Sequence, residues 1–173
     1  MVTEQAIQLI IGSLEQATAL TRSTIIKQIT ALGADAVPTL SEHLLNGSAR
    51  VREGVATALG DIGDVRAIES LIDAMTPKKE RDYECNDEAG AQVAAILALG
   101  KIGDIAAFDP LVNLLFYVLR TDIPISWYVM DALEMIGDRR AISHLEQLFD
   151  HPDADVRKTA KRVAKKLARQ KPR

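Results

Sequence analysis

One phrase recurs in this chain, and it restricts the fold more than any other feature. It reads Val55-Ala56-Thr57-Ala58-Leu59-Gly60-Asp61-Ile62-Gly63-Asp64 first, then Ala95-Ile96-Leu97-Ala98-Leu99-Gly100-Lys101-Ile102-Gly103-Asp104. An altered copy follows as Val129-Met130-Asp131-Ala132-Leu133-Glu134-Met135-Ile136-Gly137-Asp138. Each copy is an apolar stretch at helical spacing that stops at a Gly and restarts at an Asp. A Gly at the C′ position accepts the positive φ that ends many helices, and an Asp accepts the orphan N–H groups of the next. Gly63, Gly103 and Gly137, with Asp64, Asp104 and Asp138, therefore read as structural caps. Taking Asp64, Asp104 and Asp138 as catalytic carboxylates would mistake architecture for chemistry.

The turn glycines Gly33, Gly63, Gly103 and Gly137 stand 30, 40 and 34 residues apart. The long middle interval contains a polar segment at 76–87 that begins near Pro77 and has no periodicity. Without it the spacing returns to the same range, the period of stacked two-helix units. Such a unit cannot bury its own apolar face, so neighbours share the core. Aromatic residues make up only 4% of the chain. Ala and Leu fill the apolar positions and suit closely packed helices. The expected fold is all-α, a stacked helical solenoid. We expect one repeat domain over 1–173, with a cap helix at about 3–17 and repeats at about 20–168. An insertion loop occupies 76–87 and a basic tail 169–173.

Val51-Arg52 through Asp64, followed by Ala67-Ile68 and Leu71, resembles the short HEAT-like repeat of the phycobilisome-lyase type. Ala98 to Asp104 is similar. Ala132 to Ile142 differs by Glu134 in place of one Gly, and Asp155-Val156-Arg157 opens a last half repeat. The resemblance implies a right-handed α-α superhelix of the armadillo/HEAT-like solenoid type, in which the Val-Arg-type helices line the concave side and this surface holds another protein. It also implies an alternative, since some members attach, isomerise or remove bilin pigments on phycobiliproteins and others assist assembly.

With those helices taken as inner, equivalent positions fall into columns. One is Ser23, Glu53, Val93, Trp127 and Lys158; a second is Lys27, Thr57, Leu97, Asp131 and Arg162; a third is Thr30, Gly60, Gly100, Glu134 and Lys165. The stripe meant for the core takes Ile25, Val55, Ala95, Val129 and Ala160, then Ile29, Leu59, Leu99, Leu133 and Ala164. Val93, Leu97 and Trp127 are thereby expected on the open face, flanked by Ile96 and Met130. Asp131, Lys158 and Arg162 complete this candidate partner-binding surface. An exposed Trp beside Met is a common anchor; the plainer alternative is that Trp127 packs beneath Pro124 or is covered by the insertion. Tyr83 and Cys85 in the insertion are candidate recognition residues, against a tolerated surface loop.

Other chemistry finds little support. His43, His144 and His151 lack zinc-ligand spacing, and none lies near Cys85 in sequence. The acids around Asp82 to Glu88 do not have calcium-loop spacing. No Gly-rich phosphate loop follows a strand. No catalytic residue, metal or cofactor is therefore expected. Arg52 and Arg157 read as structural supports. The lone Cys fits a reducing compartment such as the cytoplasm. No signal peptide or membrane association is expected. Residues 150–173 carry nine Lys or Arg against three Asp, a local +6, whereas the chain as a whole is −3. The last helix is thus a candidate nucleic-acid surface, opposed by the acidic body. The favoured reading is a non-catalytic protein-binding scaffold. Its alternatives are a phycobiliprotein lyase subunit or chaperone, with a phycobiliprotein subunit as partner, and nucleic-acid binding through the basic helix.

Overall fold

A computed structural model describes residues 4–77, 86–121 and 123–170, without the side chains of Asn86 and Asp87. Tyr83 and Cys85 lie outside the described residues. All regular structure among those described is helical. The chain divides into two compact units, Met1–Ile102 and Gly103–Arg173.

The first unit holds α1 (Glu4–Gly12), α2 (Ala19–Thr30), α3 (Val37–Asn46), α4 (Ala49–Ile62), α5 (Ile68–Met75) and α6 (Asn86–Ile102). α4 packs between α2 and α6 to form the inner layer. α3 lies on α4 and α5 on α6, and these outer helices also touch each other. α1 caps the end of the unit against α2 and α4. The core is the shared stripe: Ile29, Val55, Leu59, Ala95 and Leu99 are all fully buried. At its N-terminal edge the unit leaves Leu9 and Leu20 exposed.

Small residues set the spacing of the inner layer. A Cβ added to Gly60 would sit 2.7 Å from the Ala98 Cα and 2.9 Å from its Cβ. α4 and α6 therefore approach so closely that only Gly fits at this crossing. Gly63 has φ of 75° and its N–H bonds the Leu59 carbonyl; Asp64 then accepts from the Arg66 backbone N–H and starts a 3-10 turn at Val65–Ala67. The same sequence of events begins the second unit. Gly103 has φ of 71°, and Asp104 Oδ1 accepts from Ala106 N–H at 2.8 Å.

The second unit holds α7 (Phe108–Arg120), α8 (Ser126–Ile136), α9 (Ala141–Glu146) and α10 (Ala154–Arg169). α7 packs on α8, α9 on α10, and α8 against α10. Val129, Leu133, Ala160 and Val163 are fully buried. Gly137, at φ of 80°, ends α8, and Asp138 Oδ1 accepts from the Arg140 N–H at 2.8 Å. Asp153 caps α10 by accepting from the N–H groups of Asp155 and Val156. Within the described residues no helix is long and apolar enough to cross a membrane.

Candidate functional site

In the second unit the inner layer consists of α8 and α10. Three ion pairs give their register. Arg162 on α10 donates to Asp131 on α8 and, at 2.7 Å, to Glu134 Oε2. Lys166 Nζ donates to the other oxygen of Glu134 at 2.7 Å. Moving along α8 from Asp131 to Glu134 moves along α10 from Arg162 to Lys166, so the helices run parallel. One turn before Asp131 stands Trp127, and one turn before Arg162 stands Lys158. Trp127 and Lys158 therefore share a register position on this face.

Trp127 is 42% exposed. Its ring lies 5.7 Å from that of Tyr128, tilted by 54°. Tyr128 was not among the residues singled out from sequence; its place directly after the Trp was the available signal. Burial works against the charge on Arg162, but the hydrogen bond and charge of Asp131, and then those of Glu134, hold its pKa above the ordinary arginine value. Asp131 and Arg162 are thus partners of each other in this structure.

Two residues expected on the open face are not there. Ile96 and Met130 are both fully buried. α6 is packed by α4 and α5, and α8 by α7 and α10, so each inner helix carries an apolar arc wider than one stripe. Ile96 and Met130 fall within that wider arc and serve the core. Val93 and Leu97, on α6 in the first unit, are half-buried.

The first unit presents polar inner-layer contacts instead. Arg22 Nη2 donates to Glu53 Oε2 at 2.8 Å, and Lys101 Nζ to Asp61 Oδ1 at 2.6 Å. Arg52, buried at the start of α4, donates from Nη2 to Glu88 Oε2 on α6 at 2.6 Å. Arg157 in the second unit bonds the carbonyls of His151 and Pro152 at 2.6 and 2.7 Å. Both arginines tie an inner-helix start to its surroundings. His144 lies between the rings of Phe108 and Phe116, each 6.2 Å away, and Arg140 stacks on Phe108 at 4.4 Å. Among the described residues no cluster of His, Cys, Asp and Glu has the makings of a metal site.

Repeated two-helix units, left-handed glycines and a shared inner layer define a helical-repeat protein. A family model described as HEAT repeats matches residues 7–84 and 85–165. The chain belongs to the HEAT-repeat family. Among solved structures it is similar to the complex of CpcE and CpcF of phycocyanin lyase from Nostoc sp. PCC7120, with a TM-score of 0.64 and 23% identity. The similarity covers 98% of this chain and 66% of that one, so this chain spans just under two thirds of its length. At that identity the likeness speaks for the fold. A comparison with curated proteins found no match.

Proposed function

We propose that this HEAT-repeat chain is a protein-binding module that engages its partner through the inner-helix face of α8 and α10. The observation that carries the reading is Trp127. It is the only Trp of the chain, and it stands 42% exposed on an inner helix. Leaving a large aromatic in water forgoes stabilisation that a covering partner restores, and Trp is prominent among interface anchors. HEAT repeats also offer stacked helices as an extended binding surface.

A second reading is favoured by the solved structure it resembles, a complex of two subunits of a phycocyanin lyase. On that reading the chain works beside a second subunit in a lyase-type assembly or as an assembly chaperone for a phycobiliprotein subunit.

The experiment is affinity capture with the intact chain and with Trp127→Ala, read by mass spectrometry and then by binding of the purified partner. The first reading expects a specific protein that the variant loses while its circular dichroism stays unchanged. A partner bound equally by both chains would remove Trp127 from the interface. The second reading expects an absorbance change when the chain, a companion subunit, a bilin and a phycocyanin subunit are combined. An unchanged spectrum would count against it.

A further inference from the structure

We propose that α10 recognises an acidic protein segment, with its carboxylates on Lys158, Lys165 and Arg169 and an apolar side chain on Trp127. This rests on the reading of the α8–α10 face as a protein-binding surface and assigns the chemistry of the partner. Lys158, Arg162, Lys165 and Arg169 recur at i, i+4, i+7 and i+11 and form one stripe, roughly 16 Å long at about 1.5 Å per residue. The stripe is opposite the buried side of the helix, where Val156, Ala160, Val163 and Leu167 pack.

A solvated helix face usually interleaves both signs. This one does not: between Val156 and Gln170 the sequence has no Asp or Glu. Lys158 and Arg162, Arg162 and Lys166, and Lys165 and Arg169 are like charges one turn apart, a spacing that weakens a helix. Favourable placement of cations near a helix C-terminus reaches only the last turn, so it accounts for Lys166 and Arg169 but not for Lys158. Part of the charge is answered within the unit. Arg162 and Lys166 are paired with Asp131 and Glu134, and Lys161 Nζ lies 5.5 Å from the centroid of the Phe149 ring. Among the described residues Lys158, Lys165 and Arg169 have no ion pair, and all three are exposed.

The pattern decides between two anionic partners. Affinity for a nucleic-acid backbone grows with the number of phosphates that cations neutralise, and carboxylates among those cations repel it. Here Asp131 and Glu134 stand beside the middle of the stripe, where they pair Arg162 of the stripe and Lys166 next to it. What is left is a cation level with an exposed aromatic at one end and two cations toward the other. An acidic segment with an apolar anchor matches that arrangement, and it avoids Asp131 and Glu134 by placing its own carboxylates to either side.

The test is a selection of displayed helical peptides on the intact chain, followed by titration of the winners. Trp127 is the only Trp, so its fluorescence reports directly on the site when the peptides contain none. We expect the winners to be rich in Asp and Glu with an apolar residue, and to shift the Trp127 emission. Binding should weaken about tenfold in a variant combining Lys158→Gln, Lys165→Gln and Arg169→Gln. All three side chains are unpaired in the described structure, and circular dichroism checks that the variant folds. Trp127→Ala should also lose the winners, read by anisotropy of a labelled peptide. Neutral or basic winners that still depend on Trp127 would overturn the acidic partner while leaving the binding module standing. Winners that depend on neither Trp127 nor the three cations would overturn both. Duplex or single-stranded DNA that binds more tightly than the acidic peptides, with loss in the triple variant, would assign the stripe to nucleic acid and overturn the proposal.

Discussion

Asp64 shows how much one repeated residue does. Its carboxylate accepts from the Arg66 backbone N–H at 2.9 Å and forms a 2.7 Å ion pair with the Arg66 guanidinium. The side-chain hydrogen bond first, then the backbone one and the neighbouring charge, lower its pKa from 3.8 to about 2. A carboxyl whose pKa is lower in the folded state adds stability above its unfolded pKa and loses it on acidification. The contribution of Asp64 should therefore be complete above the unfolded value of 3.8 and disappear as the pH falls through about 2. An NMR titration of its side-chain carboxyl should show a midpoint near 2, moving up in Arg66→Gln. A midpoint in the ordinary Asp range for both chains would refute the pairing. Arg52 makes the second residue-level case. Arg52→Ala removes a buried guanidinium and opens a void at the α4–α6 contact. We expect a loss of about 2 kcal/mol in urea unfolding, below the usual cost of breaking a buried pair because Glu88 is partly exposed.

At the scale of elements, the distance between inner helices is set where α4 meets α6. Gly60 faces the Ala98 backbone with no room for a Cβ. Gly60→Val has to separate the two helices or distort one of them, and we expect it to cost about 1–3 kcal/mol. Gly63→Ala lies three residues away and fails for another reason. Its φ of 75° is the left-handed region, where a Cβ costs roughly 1–2 kcal/mol. Thermal unfolding of the two variants separates the effects when combined with a crystal structure. The first should displace α6 relative to α4, and the second should leave their packing intact.

At the scale of the molecule, the charge is unevenly spread, with a net −3 overall and +6 within residues 150–173. Association through α10 should accordingly weaken as salt is raised, since exposed charges are screened beyond about 8 Å at physiological ionic strength. Trp127→Ala separates binding from folding. We expect a loss of about 1–2 kcal/mol in stability with the fold intact, since part of the indole is covered. Its affinity for a protein partner should fall by at least about 2 kcal/mol, the loss that marks an anchor residue. Equal affinity for both chains by calorimetry would place the interface elsewhere.

The recurrence of Gly-Asp turns by itself determined the helical repeat, because a left-handed Gly and a capping Asp are local requirements that do not wait for tertiary contacts. It also placed Val55, Leu59, Val129 and Leu133 in the core, since one stripe of a helix must be covered. The limits of the open face were not legible in the same way. Ile96 follows Val93 and Met130 follows Trp127 by three residues in the repeat register, yet each lies on a flank that a second helix covers. How wide an arc is buried depends on how many helices pack around it, and only the tertiary structure decides that. The same holds for charge. The sequence contains the cations of α10, but the packing of α8 beside it decides that Arg162 and Lys166 are answered by Asp131 and Glu134, leaving Lys158, Lys165 and Arg169 without an ion pair among the described residues.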